Sequence, residues 1–201
     1  MNGRPVTRIC FVGDSLTLGV GDPEGRGWAG RLLQSLRLGG VDVTGYNLGI
    51  RRDTSLDISR RWRSEVEARL PPTQQGAIVF AFGTNDCLEE NGSVRVERAR
   101  TLEIAGETLR AALAIAPVLM IGPPPALDAG ENERIQSLSV DLEGLCSQLG
   151  VPYFDSFAAL QASPEWRNDL EAGDGYHPSA RGYEALAVGI GSWPGWNSLF
   201  A

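Results

Sequence analysis

Ala77-Ile78-Val79-Phe80-Ala81-Phe82 is an unbroken apolar run, and Gly83-Thr84-Asn85-Asp86 ends it. Such a short run, bounded by turn residues, reads as a strand buried on both faces. Working outward, Arg8-Ile9-Cys10-Phe11-Val12 has the same character and runs into Gly13-Asp14-Ser15-Leu16. Val41 to Leu48, Val118 to Ile121 and Val151 to Phe154 supply three further strand candidates. Helical patterns fall between them: Gly27 to Leu38, an arginine-rich Leu56 to Leu70 closed by Pro71-Pro72, Val94 to Ala116, Glu131 to Leu149 with Gly150 as C-cap, and Pro178 to Ile190. Strands that alternate with helices argue for a parallel sheet covered by helices on both faces. No repeat, low-complexity segment or long linker divides the chain. Residues 1–201 are therefore expected to form one domain, with a core over about 8–190 and an aromatic tail over 191–201.

Composition narrows the chemistry. The 201 residues carry a net charge of −7, and no basic run offers a footprint for nucleic acid or an anionic membrane surface. No apolar stretch reaches the ~20 residues a membrane span requires, and the first residues lack the apolar segment of a secretory leader. All 18 basic residues are arginine. That excludes Schiff-base chemistry and a P-loop lysine. One histidine cannot build a multi-histidine zinc site, and Cys10, Cys87 and Cys146 are spaced neither for a metal nor for a disulfide framework. The expected protein is a cytoplasmic enzyme without a metal.

In an open α/β sheet, ligands bind at the carboxyl ends of the strands. Ser15, Gly49 and Asn85 follow the first three strands, and Asp174-Gly175-Tyr176-His177 precedes the last helix. A serine hydroxyl attacks only when a base takes its proton. His177 is the only histidine, so it is the one imidazole available. Asp174, three residues earlier, can hold its Nδ1–H and set the tautomer. Pro178 biases His177 toward an extended conformation, off the following helix. Asn85 could donate its amide to a developing oxyanion, and Gly49 could offer a backbone N–H free of a side chain. Each motif alone also fits an ordinary turn or cap. Four turns converging on one rim outweigh that reading.

These blocks, Gly13-Asp14-Ser15-Leu16, Asn47-Leu48-Gly49, Gly83-Thr84-Asn85-Asp86 and Asp174-Gly175-Tyr176-His177, resemble the SGNH subgroup of the GDSL esterase/lipase family. The resemblance runs from Arg8 to about Ile190. It implies a three-layer α/β/α, flavodoxin-like fold with a five-stranded parallel sheet. It also implies a triad of Ser15, His177 and Asp174, with an oxyanion hole from the Ser15 and Gly49 N–H groups and the Asn85 side chain. The expected substrate is a small-molecule ester of small to medium acyl size, with no metal or organic cofactor. Acyl transfer, thioesterase or lysophospholipase action would use the same triad, and a non-catalytic binding module is the remaining alternative.

One departure from the family is the pair Arg51-Arg52, where many relatives carry small residues. They could bind an anionic substrate group, although ion pairs with Asp53 and Asp57 are favoured. Gly122-Pro123-Pro124-Pro125 reads as a rigid pocket wall or a connector, which puts Pro124 among the substrate-binding candidates. The Gly21–Gly27 loop could shape the acyl pocket or close over it. Asp14 and Asp86 read as caps, Cys87 as a buried structural thiol and Trp28 as core. The tail, with Trp193, Trp196 and Phe200, must dock somewhere; its own domain is favoured over a homo-oligomer interface.

Overall fold

The computed structural model describes residues 6–73 and 75–200. Residues 1–5, which carry part of the leader reading, lie outside the described residues. In chain order the elements are β1 (Arg8–Gly13), α1 (Ser15–Leu18), α2 (Gly27–Leu38), β2 (Thr44–Gly49), α3 (Ser55–Glu67), β3 (Gly76–Ala81), α4 (Thr84–Cys87), β4 (Glu89–Glu90), β5 (Ser93–Val94), α5 (Arg98–Leu113), β6 (Val118–Ile121), α6 (Ala129–Leu149), β7 (Tyr153–Phe154), α7 (Ser156–Leu160), α8 (Pro164–Ala172), α9 (Ala180–Ser192) and α10 (Pro194–Asn197).

Five strands form a parallel sheet in the order β2-β1-β3-β6-β7. This is the flavodoxin-like order, and the chain changes winding direction between β1 and β3. Alternate side chains of each strand enter different cores. Cys10, Val12, Ile78 and Phe80 meet Ile58, Trp62, Leu109 and Leu142 of α3, α5 and α6. Ile9, Phe11, Ala77 and Val79 meet Trp28, Trp166, Tyr183 and Ile190 of α2, α8 and α9. With both faces covered, polar and apolar residues cannot alternate, so β1 and β3 read as continuous apolar runs.

The main departures from the sequence reading lie after β3. The long helix expected from Val94 starts at Arg98. Ahead of it, β4 and β5 form an antiparallel hairpin through Asn91-Gly92, both at positive φ (56° and 82°). That pair is a hairpin signal of the primed-turn type. Helices α7 and α8 were not anticipated. Both carry local start signals: Asp155 accepts from Ala158 N, and Ser163 accepts from Trp166 N with Pro164 following.

The tail packs on its own domain. Trp196 is 2% exposed and stacks on Phe11 at 6.2 Å, and Phe200 closes over it at 5.4 Å. Trp193 rests against Phe154. Trp196→Ala is expected to lower stability by about 3–5 kcal/mol, as removal of a buried aromatic side chain does. Chemical denaturation would read this, and a change below about 1 kcal/mol would show that the ring adds nothing to the core.

Candidate active site

Ser15 opens α1 directly after β1. Asp14 caps the helix, accepting from Leu16 N at 2.9 Å. The bend at Gly13 leaves no room for a side chain: a Cβ there would lie 2.2 Å from Thr17 Oγ1 and 2.3 Å from the Ala81 carbonyl. A tight strand-to-helix turn thus raises the serine above the carboxyl edge of the sheet, beside the switch in winding.

His177 reaches it from the other end of the chain. Its Nε2 lies 2.8 Å from Ser15 Oγ, and its Nδ1 lies 2.7 Å from Asp174 Oδ2. The second carboxylate oxygen, Oδ1, accepts from the backbone N–H of Tyr176 (3.0 Å) and His177 (2.9 Å), so one aspartate fixes both the loop and the ring. Partial burial would raise the Asp174 carboxyl. The His177 ring and the His177 and Tyr176 N–H groups outweigh it and hold the carboxyl at about 2. A carboxylate on Nδ1 selects the tautomer in which Nε2 can accept the serine proton.

A cavity of about 300 Å³ opens over Ser15 and His177, bordered by Leu16, Arg51, Arg52, Thr84, Asn85, Leu88 and Tyr176. Asn85 donates its amide to the Asp53 carbonyl at 3.0 Å and to Asp14 Oδ2 at 3.3 Å. Asp14 is 2% exposed. Burial pushes its carboxyl up to about 7; the Leu16 N–H works against this, and nearby Asp86 adds to it.

Gly49 does not face this cavity. Its N–H donates to Asn47 Oδ1 at 3.0 Å. A Cβ at Gly49 would meet Leu18 N at 2.3 Å and the Asp14 carbonyl at 2.7 Å, so the glycine is there to let β2 lie close to α1. The expected oxyanion donor is therefore corrected: its hydrogen is already used. Directly after it, Ile50-Arg51-Arg52-Asp53 forms a turn, with Asp53 N donating to the Ile50 carbonyl. Arg52 takes φ 68°, a conformation that favours glycine at the third position of a type II turn. The strain is held by Arg95 donating to the Arg52 carbonyl at 2.7 Å and by the Arg52–Glu90 ion pair at 3.0 Å. Among the described residues, the Arg52 and Ser15 N–H groups have no acceptor. Sequence reasoning missed the Arg52 N–H. Its signal was the short span between the end of β2 and the Thr54 capping box of α3, which forces a turn at 51–52.

Pro124 is not in the lining of the Ser15 cavity. It borders an adjoining cavity of about 20 Å³ with Trp28, Ser156 and Leu186, and the two cavities share Asp14, Leu16 and Thr84. The Ser156 hydroxyl donates to the Gly122 carbonyl and pins the proline segment there. The Gly21–Gly27 loop does not border the Ser15 cavity; it starts against the back of His177, where a Cβ at Gly21 would lie 3.2 Å from His177 Cβ, and it is tied down. Asp22 accepts from the backbone of Glu24, Arg26 and Gly27 and pairs with the buried Arg31. Asp86 acts as a cap for a distant helix: it accepts from Ser55 N at 3.0 Å and from the Ser55 and Thr101 hydroxyls, joining α3 to α5. Cys87 is buried, and burial pushes its thiol up to about 12. Asp53 and Asp57 pair with Arg61 and Arg60, so the ion pairs expected for Arg51 and Arg52 are not formed with them.

The model of the GDSL-like Lipase/Acylhydrolase family matches residues 11–185. Among curated proteins, the uncharacterized protein YpmR of Bacillus subtilis (strain 168) is 46% identical over 85 residues, which is 40% of this chain and 32% of that protein. The match thus spans about a third of that relative's length. A solved lipase/acylhydrolase from Enterococcus faecalis superposes with a TM-score of 0.74 at 26% identity, over 92% of this chain and 94% of that one. A catalytic mutant of Axe2, an acetylxylan esterase from Geobacillus stearothermophilus, superposes with a TM-score of 0.79 at 17% identity, over 94% of both chains, and supports the fold alone. Matched over most of its length, the chain belongs to the GDSL-like Lipase/Acylhydrolase family.

Proposed function

We propose that the chain hydrolyses small to medium acyl esters through an acyl-enzyme on Ser15. The observation that carries this reading is the continuous line from Asp174 Oδ2 through the His177 ring to Ser15 Oγ, with both contacts below 3 Å. His177 Nε2 takes the hydroxyl proton as Oγ attacks the acyl carbon. The carbonyl oxygen becomes an oxyanion and accepts from the Ser15 N–H, the Arg52 N–H and the Asn85 amide. His177 then gives its proton to the leaving alkoxide, the C–O bond breaks, and the acyl group stays on Oγ. Water attacks the acyl carbon as the same nitrogen takes its proton; the acyl C–Oγ bond then breaks, Oγ takes that proton back from His177, and the acid leaves.

The 300 Å³ cavity is at the lower end of the ~300–1,000 Å³ usual for ligand pockets, which favours a short acyl group. A fluorophosphonate probe is expected to add once per chain, and peptide mass mapping should place the adduct on Ser15. A p-nitrophenyl ester series should peak at short acyl chains. Each methylene that no longer fits should cost about tenfold or more in kcat/KM. An unlabelled Ser15 in folded protein would overturn the nucleophile assignment, and a maximum at long chains would overturn the size reading.

A further inference from the structure

The turn over Ser15 sets two arginines side by side, and they differ in one respect. Arg52 is paired with Glu90 at 3.0 Å. The other arginines around the turn are also engaged. Arg95 binds Glu90 at 3.4 Å and the Arg52 carbonyl, and Arg61 binds Asp53 at 2.7 Å and Glu65 at 3.0 Å. Arg51 alone on this rim has no carboxylate within ion-pair distance among the described residues, although 25 acidic side chains outnumber the 18 arginines in the chain. It borders the cavity that holds Ser15 and His177. The acidic groups of that cavity are already committed. Asp174 is held by His177 and two backbone N–H groups, and Asp14 by Leu16 and Asn85.

We infer that Arg51 binds an anionic group on the substrate, so that the preferred ester carries a carboxylate or phosphate beside its scissile bond. The inference rests on Ser15 being the nucleophile of this cavity. A guanidinium is permanently charged and matches the fork of a carboxylate or phosphate with two N–H groups. Its place next to Arg52 puts this recognition within one residue of a proposed oxyanion donor. Binding of the anion would then also orient the carbonyl.

The test uses matched esters, with charge on the alcohol or on the acyl side. One pair is 4-acetoxybenzoate against 4-acetoxybenzamide. The other is mono-4-nitrophenyl adipate against its methyl ester. In at least one pair the anionic ester should have a kcat/KM about tenfold above its neutral partner. The ratio should shrink as salt is raised. Arg51→Gln should bring the ratio close to one, and Arg51→Lys should keep part of it. In parallel, calorimetry on Ser15→Ala reads binding of 4-acetoxybenzoate and of mono-4-nitrophenyl adipate, each against its neutral partner, with and without Arg51→Gln. Equal cleavage and equal binding of charged and neutral esters would overturn the inference, as would a preference that survives in Arg51→Gln. If no ester is cleaved but anions still bind through Arg51, the esterase reading fails while the anion site stands.

Discussion

His177→Ala is expected to lower kcat by about 10⁴-fold or more, because no other group in the cavity can take the Ser15 proton. The chain has no second histidine and no lysine. Asp174 is a carboxylate and too weak a base, and its Oδ1 stays engaged by the loop it fixes. Asp14 is buried on the cap of α1, bonded to Leu16 and Asn85. The fold should survive the change. The His177 side chain is 16% exposed, and Asp174, 54% exposed, can exchange the lost imidazole for water. Normal circular dichroism together with a collapsed p-nitrophenyl acetate rate is therefore expected, as is partial rescue by free imidazole filling the vacated space. In the wild type, Asp174 should stay ionised down to about pH 2, so its own protonation should not lower activity at mildly acid pH. A variant that keeps more than about a tenth of wild-type kcat would remove His177 from the mechanism.

The fold was legible where one principle acted alone. Ala77–Phe82 and Ile9–Val12 are apolar because both faces of the sheet are covered, and a run of that kind needs no tertiary knowledge to read. The Asp174/His177 pair was legible for the same reason: a three-residue spacing and a single imidazole leave little choice. The turn over Ile50–Asp53 was not. A glycine is a sign of close approach or of positive φ, and here the two reasons are split between two residues. Gly49 exists because α1 packs within 3 Å of where its side chain would be. The positive φ falls on Arg52, a residue type that rarely adopts it. It is enforced by Arg95 and Glu90, about forty positions away. The hairpin that carries Glu90 and runs into Arg95 lies ahead of the helix expected from Val94 and overlaps it only at its first residue. Its Asn91-Gly92 turn was visible, but a two-residue strand has no period to detect. Arg51 and Arg52 were expected to find Asp53 and Asp57, their neighbours in sequence. Helix α3 instead turns Arg60 and Arg61 toward those carboxylates.

Asn85→Ala should cost about 10²–10³ in kcat with a much smaller change in KM, since a donor aimed at developing charge matters most in the transition state. The loss is bounded because the Ser15 and Arg52 N–H groups remain. The Asn85 amide already has two acceptors, and they are unequal: the Asp53 carbonyl at 3.0 Å and Asp14 Oδ2 at 3.3 Å. The longer contact is the one an oxyanion can displace, while the shorter one holds the side chain in place. Asp14 matters to this exchange. Burial holds its carboxyl up at about 7, so near neutral pH it competes for the amide hydrogen with only part of a full charge. Asn85→Asp should be worse than Asn85→Ala. It sets a carboxylate against the oxyanion and against Asp14, whereas alanine removes only the donor. The measurement is kcat and KM on p-nitrophenyl acetate for both variants, with thermal denaturation to separate lost catalysis from lost fold. A loss below about tenfold in a stably folded Asn85→Ala would leave the oxyanion to the two backbone donors alone. A loss in the expected range, with alanine the milder change, would mean that the side chain after β3 supplies the third donor.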